Sequence, residues 1–314
     1  MQISSPRELL ATIPHMLGFH PTHSVVVVAF DADHVVATVR ADIDVVRVAM
    51  INPLISSLTN AEEAFLAIVY FADDVNETTD WQDELAQSLD IPVLDTLLVT
   101  QTHWRSLLCD DSDCCPSDGH PLDESSSMMD AFMVFNGSAP FRSREELVAS
   151  LIPADEDASY QNFDGEQSDV PSIVDVQSEH EWIISTLSAD TEISRPDCDR
   201  LCESLTDFRV RDALLRSVYD DPRLRSVLKL ALHSNMRSVP THWVAPAATV
   251  LAGCAWLDGN GVLANVAISR ALDVDPEYSL AQLLDRALTH GVPPHVWAES
   301  LAAVSMDRCL QGAA

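Results

Sequence analysis

The sequence predicts an α/β domain with a mixed sheet and hairpins over residues 1–152, followed by an all-α, tetratricopeptide-like helical domain over 172–314. Three observations carry this. Residues 24–30, Ser24 and then Val25, Val26, Val27, Val28, Ala29 and Phe30, and residues 64–71 are apolar runs without polar interruption. Such runs, bounded by turn residues, are strands buried on both faces at the centre of a sheet. From residue 173 onward the apolar positions recur with helical period. Between the two patterns, residues 153–171 hold Asp155, Glu156, Asp157, Asp164, Glu166 and Asp169 with no basic residue. That composition buries too little surface to order itself and marks an acidic linker.

Ser5-Pro6-Arg7-Glu8 is a capping box with proline at the first helical position. Leu9, Leu10 and Ile13 share a face of the helix it opens, and Pro14 is expected to stop it. Gly18 and Pro21 set a tight loop before the central strand. Residues 35–43 alternate: Val35, Ala37, Val39, Ala41 and Ile43 on one side, Val36, Thr38, Arg40 and Asp42 on the other, a hairpin partner with one polar face. Residues 45–58 read as an amphipathic helix divided at Pro53, 64–71 as a second buried strand, and 79–89 as a short helix carrying Leu85 and Leu89. Strands are expected over 93–100 and 103–108, a helix over 127–137, and another after the capping box Ser143-Arg144-Glu145-Glu146.

Beyond the linker, helices are expected over 173–187, 196–205, 209–219, 222–235, 241–257, 262–272, 278–289 and 294–305. Short connections make consecutive helices antiparallel neighbours. Gly259-Asn260-Gly261-Val262-Leu263-Ala264 matches a dinucleotide fingerprint as a string, but a helix precedes it where a strand is required. Its glycines are read as the C-cap and turn of a helical hairpin. Ala264, Ile268, Ala271 and Pro276 match the second helix of a tetratricopeptide repeat, without a sustained 34-residue period.

Composition excludes several functions. Acidic residues number 49 against 18 basic ones, a net charge of -31. A field of that sign repels phosphate backbones and anionic lipid, so nucleic acid and membrane surfaces are not expected partners. Lys229 is the one lysine and no Gly-Lys pair exists, which removes the Walker P-loop. No segment approaches the roughly 20 apolar residues that span a bilayer. The first residues lack the layout of a signal peptide, and seven scattered cysteines do not make a secreted disulfide framework. A reducing cytoplasm is the expected compartment.

Two constellations carry chemistry. Arg40 and Asp42, with His20 and Ser24 in and after the 18–24 loop, are candidate ligand-binding residues at the sheet edge, able to orient a small anion or simply to hold each other. Cys109, Cys114, Cys115 and His120 offer soft donors. Adjacent cysteines seldom share one ion, and the paired Cys-x-x-Cys knuckle is missing. Structural zinc, a redox pair and inert thiols all stay open, with no stoichiometric zinc expected from the spacing. The 109–115 turn is expected to bring the three thiols close together. No catalytic motif and no cofactor can be assigned.

The chain resembles an actinobacterial family, domain of unknown function 4192. The matching features are Pro14, Leu17-Gly18-Phe19, Pro21 and Ser24; Arg40 with Asp42; Trp104, Cys109, Cys114-Cys115-Pro116 and Gly119; Ser143 to Leu147; and Trp256, Gly259, Ala264, Ala271, Pro276, Tyr278 and Leu280-Ala281. The resemblance implies no activity and no fixed ligand at the position of His120. Two functions fit the residues: a regulatory or adaptor protein using its helical domain on a protein partner, or a small-molecule-binding protein or enzyme with a site at Gly18–Ser24, Arg40 and Asp42. Limited proteolysis should cut first between Pro153 and Pro171 and leave two resistant fragments; first cuts elsewhere would remove the linker.

Overall fold

The computed structural model describes residues 3–31, 34–43, 64–73, 91–122, 131, 133, 139–153, 174–189 and 192–312. The helices expected over 45–58 and 79–89, that over 127–137 apart from Ala131 and Met133, and the linker after Pro153 lie outside the described residues. The chain divides into two compact units, Met1–Arg144 with His290–Val292 and Glu145–Thr289 with Pro293–Ala314.

The first unit is a six-stranded mixed sheet in the order β2-β1-β3-β4-β5-β6. Its strands are β1 (Ser24–Asp31), β2 (His34–Asp42), β3 (Ala64–Phe71), β4 (Val93–Val99), β5 (His103–Ser106) and β6 (His120–Pro121). Strand β1 runs antiparallel to both β2 and β3, β3 is parallel to β4, and β4, β5 and β6 alternate. The run from Val25 to Phe30 is buried throughout, as an uninterrupted apolar strand must be. One face gathers Val25, Val27, Ala29, Ile43, Leu66, Ile68, Tyr70 and Leu98, with Ala37 and Ala41 beside them.

The polar face of β2 is half-buried at Thr38 and Arg40 and exposed at Asp42. Helix α1 (Pro6–Leu17) lies against β2, where the Thr38 hydroxyl donates to Met16 Sδ at 3.5 Å. Pro14 does not stop α1. A proline removes one helical hydrogen bond, and the buried side chains of Ile13 and Leu17 carry the helix one turn further. It ends at Gly18, whose φ of 81° is the left-handed cap that favours glycine, with its N–H donating to Pro14 O at 2.8 Å.

The second unit is helical: α2 (Arg144–Ala149), α3 (Val176–Ser188), α4 (Arg195–Ser204), α5 (Phe208–Asp220), α6 (Pro222–Asn235), α7 (Thr241–Leu257), α8 (Gly261–Val274), α9 (Ser279–Thr289), α10 (Pro294–Ala302) and α11 (Met306–Gln311). Apolar all round, α7 is buried at every position from Val244 to Trp256 and packs against α4, α5, α6, α8, α9 and α10. Its one buried hydroxyl, Thr249, donates to Ala245 O at 2.7 Å. Gly259 takes φ +76° and caps α7, while Asn260 accepts from Leu263 N at 2.9 Å and starts α8. The glycine pair is thus a helical hairpin turn. Residues 294–305 form less than the single helix expected: α10 closes at Ala302, and Ser305 accepts from Arg308 N to open α11. Among the described residues, no helix is long and apolar enough to cross a membrane.

Two partly buried histidines make this unit sensitive to acid. His180 Nε2 meets Ser217 Oγ at 2.9 Å and His233 Nε2 meets Ser150 Oγ at 2.8 Å. Burial holds both below the ordinary histidine value, with Lys229 adding to the effect on His233. Below about pH 6.5 the unfolded chain therefore binds protons that the folded chain resists, so stability falls as pH drops from there through the folded values. Thermal melts from about pH 7 to about pH 5 should show a downward trend that is shallower in the His180→Gln, His233→Gln double variant. Equal slopes would place the acid sensitivity elsewhere.

Candidate functional site

The loop after α1 is a clasp over the sheet edge. The backbone of Gly18 to His20 pairs with Phe141: Phe141 N donates to Gly18 O at 2.8 Å, and His20 N to Phe141 O at 2.9 Å. Phe19 is thereby held inside, 1% exposed, with the Arg40 guanidinium over its ring at 5.8 Å. His23 takes a φ of 46°, rare for a residue with a side chain, and its carbonyl accepts from Ile43 N at 3.2 Å.

Ser24 and Asp42 are register partners, and Arg40 sits opposite Val26 on the same face. The structure so brings three of the four candidate ligand-binding residues together. They are occupied with one another and with the backbone. Arg40 Nη2 reaches Asp42 Oδ1 at 2.6 Å, and the buried Ser24 hydroxyl donates to Thr22 O at 3.0 Å. The Arg40 side chain is 12% exposed against 55% for Asp42, and its buried Nε has no partner among the described residues. His20 is exposed on the loop.

The second constellation is a knuckle leaving β5. Cys109, Cys114 and Cys115 place their Sγ atoms within 4.8 Å of one another, as the turn residues predict. Two backbone devices hold them. Ser106 Oγ accepts from Cys109 N at 3.2 Å while donating to Asp95 Oδ1 at 2.6 Å. The carbonyl of Asp111 accepts from both Cys114 N and Cys115 N, at 3.2 and 2.7 Å. Ser106 and Asp95 were not legible as supports, because Asp95 belongs to β4 and meets Ser106 only through strand pairing.

His120 comes to the knuckle without offering a free ring nitrogen at Nε2, which meets Cys114 O at 2.8 Å. Its ring stacks on Trp104, centroids 4.6 Å apart. It orients the loop. Desolvation first, then hydrogen bonding to Cys109, pushes the Cys115 thiol up to about 11. An uncompensated thiolate is unfavourable at Cys115, which argues against that thiol as an activated nucleophile.

Gly119 closes the knuckle at φ +76°, where a Cβ would lie 2.9 Å from Trp104 O. Gly119→Ala should cost about 1–2 kcal/mol in urea denaturation from the left-handed backbone alone, and should speed alkylation of Cys114 and Cys115. Unchanged stability would mean the loop relaxes freely.

The family model for a domain of unknown function (DUF4192) matches residues 6–295. No curated protein and no solved structure matches the chain. The protein belongs to the DUF4192 family, and the matched residues run from α1 through the start of α10.

Proposed function

We propose that this DUF4192 protein is a cytoplasmic adaptor or regulatory protein whose helical unit binds a protein partner. The observation that carries it is a set of large apolar side chains exposed on helices that pack against α7. Leu230 on α6 and Leu283 on α9 stand 68% and 51% exposed, and Phe208 at the start of α5 is 50% exposed. Large apolar side chains left in water on a well-packed scaffold are the anchors that interfaces use.

Charge distribution supports the same reading. Residues 1–171 hold 30 of the 49 acidic residues but only six of the 18 basic ones. Residues 172–314 keep 19 acidic against 12 basic residues, a much weaker imbalance, with arginines in pairs such as Arg200–Glu179 at 2.7 Å and Arg225–Asp258 at 2.6 Å. A partner can approach that surface without strong long-range repulsion. The tetratricopeptide-like element in this reading is the α7–α8 hairpin, where Ala264, Ile268 and Ala271 are buried. At the sheet edge Arg40 is paired with Asp42 and the Ser24 hydroxyl with Thr22 O, and the adaptor reading is preferred to a small-molecule site there.

The test is quantitative capture from native cells with full-length protein, comparing wild type with Leu230→Glu and Leu283→Glu. A partner recovered by wild type and reduced at least about tenfold by either substitution is expected, the size of a lost anchor of about 1.4 kcal/mol. A partner recovered equally by all three proteins would move the interface off this surface.

A further inference from the structure

We infer that Cys109, Cys114 and Cys115 form a three-thiolate binding site for a single zinc(II) ion. Three sulfur donors within 4.8 Å are already near the arrangement required, since zinc–sulfur bonds of about 2.3 Å put tetrahedral sulfurs about 3.8 Å apart. Closing that difference needs side-chain rotation more than backbone movement. Both arms of the knuckle are fixed: one through Ser106 and Asp95, the other through the shared Asp111 carbonyl and the His120 bond to Cys114 O.

The number of thiols separates a metal from a disulfide. A disulfide takes two sulfurs and strands the third, and bridging the sequence neighbours Cys114 and Cys115 strains the peptide between them. One ion uses all three. Asp110, Asp111, Asp113 and Asp118 lie in the same loop, and their charge draws a cation while opposing bare thiolates. Binding releases the thiol protons to solvent, one for each sulfur that becomes a thiolate ligand. Cys114 is exposed, so an ion can reach the three sulfurs from water.

The experiment uses the full chain purified under reducing conditions without chelator. Elemental analysis should give about one equivalent of zinc, one ion for one tetrahedral site. Cobalt(II) substitution should produce the charge-transfer and d–d absorption of thiolate ligation. Each of Cys109→Ser, Cys114→Ser and Cys115→Ser should lose the metal, while Cys309→Ala, in the helical unit, should keep it. Alkylation of wild type with zinc present, mapped by mass spectrometry, should spare these three thiols, and it needs no variant to fold. Wild-type protein that stays metal-free after zinc addition overturns the site. So does zinc retained after Cys115→Ser, or alkylation of all three thiols in the presence of zinc.

Discussion

Strand β1 must be covered on both faces and paired along both edges, and the architecture of the first unit follows from that demand. Its pairing runs antiparallel to β2 and β3 along its whole length. Five successive residues from Val25 to Ala29 are no more than 2% exposed. On one face Val25, Val27 and Ala29 form a cluster with side chains from β2, β3 and β4, and the other brings α1 down over β2. The left-handed turn at Gly18 exists because the chain must leave α1 and place Phe19 inside before entering β1. Arg40 is the tension in that arrangement. A guanidinium drawn under an aromatic ring keeps its charge acceptable through Asp42, and losing that carboxylate would leave a largely buried cation unpaired.

The helical unit solves the same problem with small residues. Alanines at 247, 248, 252 and 255 and Gly253 let neighbouring helices close on α7; a Cβ on Gly253 would sit 3.2 Å from Leu215. Most charged groups lie in surface pairs such as Lys229 with Asp258, while Asp207 is buried in its pair with Arg209. The exposed leucines of α6 and α9 stand out against the apolar packing around α7.

Much of this was legible because composition changes sharply at the boundaries. Ala64–Phe71, Pro222–Asn235 and Thr241–Leu257 are observed with their expected limits, each flanked by residues that cannot continue the element or that open it. The turn at Gly259 was legible for the same reason. Where tertiary contacts decide, the sequence is silent. Nothing local says that α1 survives Pro14, that β5 stops at Ser106 because its hydroxyl turns to the Cys109 amide, or that Thr38 and Arg40 are half-buried. The thiol cluster was half legible. Turn residues placed the cysteines together, while spacing rules built on paired Cys-x-x-Cys knuckles gave no hint of how closely the sulfurs converge.

The wrapping of α7 has an evolutionary side. A helix with a solvent face can drift there while its buried stripe is held, so half its positions record little. Between Val244 and Trp256 this helix has no such face. Enlarging any alanine demands a compensating loss on α5, α6, α8 or another neighbour, and single substitutions become dead ends unless the partner changes too. Divergence within the family should therefore accumulate on the outer helices, and change in α7 should come as correlated pairs.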